Sequence, residues 1–183
     1  MVTITQLRTD RLLLRQWRDD DLLPWAALNA DPLVREFLGP ALTYEQSAQS
    51  LELFRSELAA RGWGWWAVEV PATGEFIGFA GLDPTDKTSP VPGVEIGWRL
   101  ARAAWGHGYA TEAAHALLDF GFAELGLGEI LAITVATNQR SRDVMHRLGM
   151  THDPACDFED PEIPAGPLRH NVLYRIARPR VGV

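Results

Sequence analysis

The fold turns on Val94-Glu95-Ile96-Gly97-Trp98-Arg99-Leu100 and, after a short connection, Trp105-Gly106-His107-Gly108-Tyr109-Ala110-Thr111. The first run reads as a strand. The second opens a helix predicted from about Tyr109 to Leu125, with Ala113, Leu117 and Phe120 recurring on one face. Between them, two glycines let the backbone enter φ > 0, so that successive N–H groups converge on one concavity. A nest of this kind at a helix N-terminus binds anions through backbone donors and the helix dipole. A Gly-x-Gly pair also fits a plain strand-to-helix turn. The third glycine of the dinucleotide fingerprint is absent, and a Walker loop is excluded because no Gly-Lys-Ser/Thr follows.

Downstream, Gly126-Leu127-Gly128 ends the helix, and Ile130 to Val135 is a short apolar run of the kind a buried strand shows. Asn138 starts a second helix that stops at Gly149, giving a strand–helix–strand–helix order. Upstream, Trp65 to Val70 and Phe76 to Leu82 read as strands joined through Pro71-Ala72-Thr73-Gly74 as a hairpin. Thr43 and Gln46 have capping-box spacing ahead of a helix carrying Ala48, Leu51, Phe54 and Leu58 until Gly62. Arg11 to Trp17 reads as an opening strand, and Asp19-Asp20-Asp21 lies just before Leu22, where a helix N-terminus favours carboxylates, ahead of a short helix through Asn29. A Pro- and acid-rich loop, Asp157 to Pro167, precedes a final strand from Asn171 to Ile176. There is no internal repeat and no long linker, so residues 1–183 are expected to form a single α+β domain.

Composition narrows the function classes. The 183 residues carry 24 Asp+Glu against 17 Lys+Arg, a formal charge of −7, which disfavours wholesale nucleic-acid binding. Lys87 is the lone lysine among these cations, and residues 99–147 hold five arginines against five acids, so that stretch is neutral while the rest carries the excess. Either a bias toward arginine scatters it, or arginine here serves a planar, phosphate-bearing ligand. The single cysteine, Cys156, excludes an intramolecular disulfide framework. No secretory leader and no membrane-spanning window are apparent, and a cytoplasmic location without membrane attachment is expected.

Three ordered segments carry a resemblance: Glu95 to Leu100, Trp105 to Ala113, and Asn138-x-x-Ser141-x-x-Val144-Met145-x-x-Leu148-Gly149-Met150. Together they resemble the GCN5-related N-acetyltransferases (GNAT). The opening Thr9-Asp10-Arg11-Leu12-Leu13-Leu14-Arg15 is similar to the branch containing the ribosomal-protein N-terminal acetyltransferases (RimJ/RimL-like). The resemblance implies an α/β/α sandwich with a mixed, mostly antiparallel sheet, in which a splayed parallel strand pair admits acetyl-CoA as co-substrate, with no metal. Residues 94–100 would pair with the pantetheine arm through Ile96, Gly97 and Trp98. The pyrophosphate would lie on the amides of Gly106, His107, Gly108, Tyr109 and Ala110, with Thr111 also expected against the cofactor. In the superfamily pattern Gln/Arg-x-x-Gly-x-Gly/Ala, Trp105 replaces the polar first residue, so binding there is assigned to the backbone. Asn138 and Ser141 would complete the site, Asn138 reaching the pantetheine amide or only capping its helix.

The chemistry follows from the reaction so implied. An amine must lose a proton to attack a thioester, and an unperturbed lysine titrates near ~10.4. Glu95 is the candidate base, the alternative being that it pairs with an arginine or faces water. A backbone N–H near Ile96 to Trp98 would hold the developing oxyanion. Many family members use a tyrosine to protonate the thiolate at the position that is Met145 here, which leaves Ser141 as the nearest hydroxyl. Ser141 could instead bond its own backbone. His107, His115, His146, His152 and His170 lack metal-ligand spacing, and Cys156 lacks the surroundings of a nucleophile. Alternation predicts that Trp65 and Trp66 put a ring on each face of their strand, in the core, at a homodimer contact or, for one ring, in an acceptor pocket. The loop Asp157 to Glu162, with four acids, would attract a cationic amine or simply be solvated. The acceptor is an amine of open identity, α-amine or small molecule. A larger acyl group, or an acyl-CoA-binding regulatory module with weak turnover, is the alternative.

Overall fold

In the computed structural model, which describes residues 3–86 and 88–179, Val94–Leu100 is a strand at the middle of one sheet. The strands among the described residues are β1 (Leu7–Arg8), β2 (Leu13–Arg15), β3 (Trp65–Val70), β4 (Glu75–Pro84), β5 (Val94–Leu100), β6 (Glu129–Val135), β7 (Thr151–His152), β8 (Phe158–Glu159) and β9 (His170–Ala177). Four helices accompany them: α1 (Leu22–Ala30), α2 (Tyr44–Arg61), α3 (Tyr109–Ala123) and α4 (Gln139–Arg147). The sheet order is β1-β2-β3-β4-β5-β6-β9-β7, with β8 also on β9. All described pairs are antiparallel except β5 with β6. This is the mixed, mostly antiparallel α/β/α sandwich that the resemblance implies.

Alternation of side chains across the sheet builds two cores. On the α3 side, Trp66, Leu82, Ile96, Leu100, Leu117 and Phe120 are buried together. On the α1–α2 side lie Trp17, Trp25, Leu51, Phe76 and Phe79, with Phe54 and Trp65 packed against them. Burying each Leu or Phe contributes roughly 1.5–3 kcal/mol, so both faces of the central strands are pinned. Trp65 and Trp66 do take opposite faces: Trp65 meets Phe79 at 5.1 Å, and Trp66 meets Phe120 at 5.6 Å.

The helix boundaries have local causes. Thr43 Oγ1 accepts from the Gln46 N–H while Gln46 Oε1 accepts from the Thr43 N–H, the reciprocal box that starts α2. Gly62, at φ +80°, ends it. The expected opening strand, Arg11 to Trp17, shortens to Leu13–Arg15 because Thr9 and Leu12 close a turn and the Arg11 N–H is taken by Glu112. Asp19–Asp21 forms a 3-10 turn directly before α1, which starts at Leu22 as expected. There Asp21 is buried, accepting from both Nη atoms of Arg15 at 2.7 and 2.8 Å and from the Arg18 N–H. α3 ends at Ala123 instead of Leu125, where the Glu124 and Leu125 N–H groups both turn to the Phe120 carbonyl.

Candidate active site

β5 and β6 are joined by a single bridge, Glu95 opposite Leu131, and part beyond it. The hydrogen-bond alternation of β5 follows from its other edge. The Ala101 N–H donates to the Ile77 carbonyl, and the register pairs Arg99, Gly97 and Glu95 with Phe79, Gly81 and Asp83. Those odd positions give their backbone groups to β4, while Ile96 and Trp98 turn theirs toward β6. The Glu95–Leu131 bridge engages the Ile96 N–H. The Ile96 carbonyl and both backbone groups of Trp98 therefore face the wedge, as an extended ligand requires.

An open cleft of about 1440 Å³ occupies this wedge, lined by Glu95, Ile96, Gly97, Trp98, Trp105, Gly106, Gly108, Tyr109, Ala110, Thr111, Asn138 and Ser141, among others. Of the residues expected at the site, His107 alone does not line it. Its ring stacks on Tyr109 at 5.5 Å and its carbonyl accepts from Arg11 Nη1 at 3.0 Å.

At one end of the cleft, Gly106 and Gly108 adopt φ +79° and +80°, and α3 begins at Tyr109. Gly108 is the N-cap and offers no side chain, so no cap occupies the first-turn amides. Arg11 is clasped beside the nest. Its Nε donates to Glu112 Oε2 at 2.7 Å, its guanidinium lies 4.8 Å over the Tyr109 ring, and half of its side chain is exposed. Thr9 Oγ1 donates to Glu112 Oε1 at 2.5 Å, fixing the carboxylate that holds Arg11. Neither Arg11 nor Glu112 emerges from the sequence as a site residue, although Thr9-Asp10-Arg11 was conspicuous; the contact spans about a hundred residues of chain. Trp105 Nε1 donates to the Leu100 carbonyl at 2.9 Å, and its ring lies 4.5 Å beneath the Arg140 guanidinium.

At the apex, Glu95 is partly buried and makes no side-chain hydrogen bond or ion pair among the described residues. Burial first, then the nearby Asp86 and Asp83 carboxylates, push its carboxyl up to about 7. A carboxyl that titrates near neutrality is poised to accept a proton. On the opposite wall, Asn138 Oδ1 accepts from the Ser141 N–H at 3.3 Å, capping α4. Asn138 Nδ2 donates to Ser141 Oγ at 3.1 Å and to Thr134 Oγ1 at 3.0 Å. Ser141 Oγ therefore accepts from Asn138 rather than bonding its own backbone, and its O–H is free to donate into the cleft. Met145 lines the cleft nearby and is 2% exposed.

The acidic loop lies elsewhere. Asp157 accepts from His152 and the Leu173 N–H, Glu159 pairs with Arg169 and His170, and none of residues 157–162 lines the cleft. Cys156 contacts Arg175 at 3.6 Å, also outside it.

Residues 11–151 match the family model described as acetyltransferase (GNAT) domain. YkkB of Bacillus subtilis (strain 168) is 34% identical over 147 residues, covering 80% of this chain and 85% of its own. The FsC-acetyl coenzyme A-N(2)-transacetylase of Aspergillus fumigatus is 31% identical over 157 residues, 79% of this chain and 66% of that protein. Among solved structures, RimL, a ribosomal L7/L12 alpha-N-protein acetyltransferase in complex with coenzyme A, superposes with a TM-score of 0.73 at 15% identity, covering 95% of this chain and 98% of its own. At that identity the likeness is one of fold.

Proposed function

The chain belongs to the GNAT acetyltransferases and is an N-acetyltransferase; we propose that it moves an acetyl group from acetyl-CoA to a primary amine by direct attack in a ternary complex. The observation that carries this reading is the one-bridge wedge between β5 and β6, with an anion nest at its mouth and an unpaired carboxyl at its apex. The relative named for transfer from acetyl coenzyme A to an N(2) nitrogen supports the donor and the kind of acceptor.

The residues fit the co-substrate on physical grounds. The amides of Gly108 to Thr111 would receive a diphosphate with no Cβ at Gly108 to crowd it, and Arg11 would add a cation at the same rim. Ile96 and Trp98 offer backbone groups to the pantetheine amides. Acetyl-CoA supplies an activated acyl carbon and a thiol leaving group. The Trp98 N–H, left without a strand partner, donates to the thioester oxygen, a contact worth about 3 kcal/mol when it strengthens in the transition state. Glu95 takes the proton from the attacking amine, directly or through one water. As the N–C bond forms and the C–S bond breaks, the Ser141 O–H donates toward the departing sulfur, and the products are an amide and free CoA.

Acetyl-CoA consumption across peptides, polyamines, amino acids and aminoglycosides tests the reading. Turnover with at least one amine is expected. Tight acetyl-CoA binding without turnover on any would replace it with an acyl-CoA-binding regulatory module.

A further inference from the structure

Arg99 sits on the same face of β5 as Glu95 and Gly97, four positions from Glu95, about 13 Å along a strand that rises ~3.3 Å per residue. Its guanidinium turns toward α1, away from the glycine nest. Nη1 donates to Asn29 Oδ1 at 2.9 Å, and the group packs 5.4 Å from the Trp25 ring and 5.2 Å from the Phe79 ring. No carboxylate pairs with it among the described residues. Nε is buried without a partner, and Arg99 lines the cleft. Burial first, then Arg35, lower its pKa to about 10, which leaves it cationic at neutral pH. Arg35 is itself 8% exposed, has no ion pair among the described residues, and spends its donors on the Pro40 and Leu38 carbonyls.

A buried cation without a counterion is unfavourable unless something else supplies the charge. Arg99 is partly exposed, its Nε is buried, and its guanidinium is held by Asn29. Ser47 Oγ accepts from Asn29 Nδ2 at 3.3 Å and itself donates to the Thr43 carbonyl, so the Asn29 oxygen is aimed at Arg99. Asn29 and Ser47 are both fully buried. Between Glu95 and Arg99 the strand face carries no side chain of its own and is covered by the Trp65 ring. A Cβ at Gly97 would lie 3.0 Å from that ring.

We infer that the acceptor carries a carboxylate as well as an amine, with the amine placed at Glu95 and the carboxylate at Arg99, spanning the Trp65 ring that covers Gly97. The inference rests on the acetyltransferase reading of the cleft. Specificity would then come from the acceptor's charge. An amide or a decarboxylated amine would leave Arg99 uncompensated, and discrimination by an unpaired buried group is strong. The carboxylate could belong to a free amino acid or to an acidic side chain near a peptide N-terminus.

The test uses matched pairs on the full chain: amino acids against their amides, and short peptides with Asp or Glu near the N-terminus against the same peptides with Asn or Gln. Wild-type kcat/KM is expected to favour the carboxylate member at least tenfold in one of the two sets, which identifies the source. Arg99→Gln should raise KM for that member at least tenfold while leaving KM for the neutral member and acetyl-CoA affinity unchanged. Asn29→Asp, which sets a carboxylate against Arg99 from within, should abolish the preference without removing the cation, and it provides a second route if Arg99→Gln fails to fold. Equal use of both members by the wild type overturns the inference and leaves the acetyltransferase reading intact, as does an equal loss for both members in Arg99→Gln. If no amine turns over, the catalytic reading fails. Calorimetry on CoA-saturated protein then decides this one, since tighter binding of the carboxylate members that Arg99→Gln removes supports it and equal binding overturns it.

Discussion

Replacing Glu95 with glutamine is expected to make the protein more stable and much less active, and the stability gain should depend on pH. Native Glu95 holds its proton more tightly than it does in the unfolded chain, with a pKa of about 7 against an ordinary 4.5. Between those values the native state binds more protons than the unfolded state, so its contribution to stability falls as pH rises, and the penalty is complete above pH 7. The shift corresponds to about 3 kcal/mol as an upper bound. Glutamine removes the charge at nearly constant shape. Urea unfolding at pH 5 and pH 8 should therefore show Glu95→Gln gaining little at pH 5 and up to about 3 kcal/mol at pH 8. In the same variant kcat should drop by ~10²-fold or more at pH 7 with acetyl-CoA affinity nearly unchanged, and partial recovery is expected as pH nears the amine's own pKa. In the wild type, kcat/KM should climb through about pH 7 as the carboxyl deprotonates. A stability difference that does not widen with pH would refute the burial argument. Wild-type kcat in Glu95→Gln at pH 7 would make Glu95 structural and leave water as the base, since neither His170 nor Asp157 lines the cleft.

Three further substitutions probe the remaining parts. Ser141→Ala should lower kcat only several-fold, because water partly replaces a hydroxyl at the sulfur, and raising the pH should not relieve the loss, which a pH–rate profile reads directly. Gly108→Val should raise the acetyl-CoA dissociation constant at least tenfold, roughly 1.4 kcal/mol, because a β-branched residue is strained at φ +80° and would crowd the phosphate; unchanged affinity by calorimetry in a folded variant would remove the nest assignment. Glu112→Ala strands the Thr9 hydroxyl and frees Arg11, and should destabilise by about 1–3 kcal/mol, read as a lower urea midpoint with unchanged slope.

Much of this was legible in the chain because the signals are local. The strand 94–100, the capping box at Thr43 and the glycine stops at Gly62 and Gly149 each depend on a few neighbouring residues, and each stands where expected. What was not legible depends on distant contacts. β1, β7 and β8 are two residues long and exist only because β2 or β9 offers an edge. The same holds in the site. Glu95 and Ser141 were found through their place in a motif, whereas the Arg11–Glu112 clasp joins segments 101 residues apart in sequence and the Asn29–Arg99 contact segments 70 apart. The acidic loop, an amine attractor or a solvated loop on its sequence, lies outside the cleft, and Asp157 and Glu159 meet His152, Arg169 and His170, some of them close in sequence.

The solitary bridge between Glu95 and Leu131 divides the sheet into a part built from β1 to β5 and a part built from β6 to β9, stitched at one point and spanned by α3. Beyond that bridge the seam is held by the side chains packed under α3 and not by a backbone ladder. An extended ligand laid in the wedge offers the backbone donors and acceptors that the missing ladder would have supplied, so occupancy and cohesion of the two halves become a single equilibrium. A ligand present at a hundred times its dissociation constant adds about 2.7 kcal/mol to the folded state, a large share of what a domain of this size has to spare. Inside a cell, the abundance of the co-substrate would then set how long the protein survives as well as how fast it works.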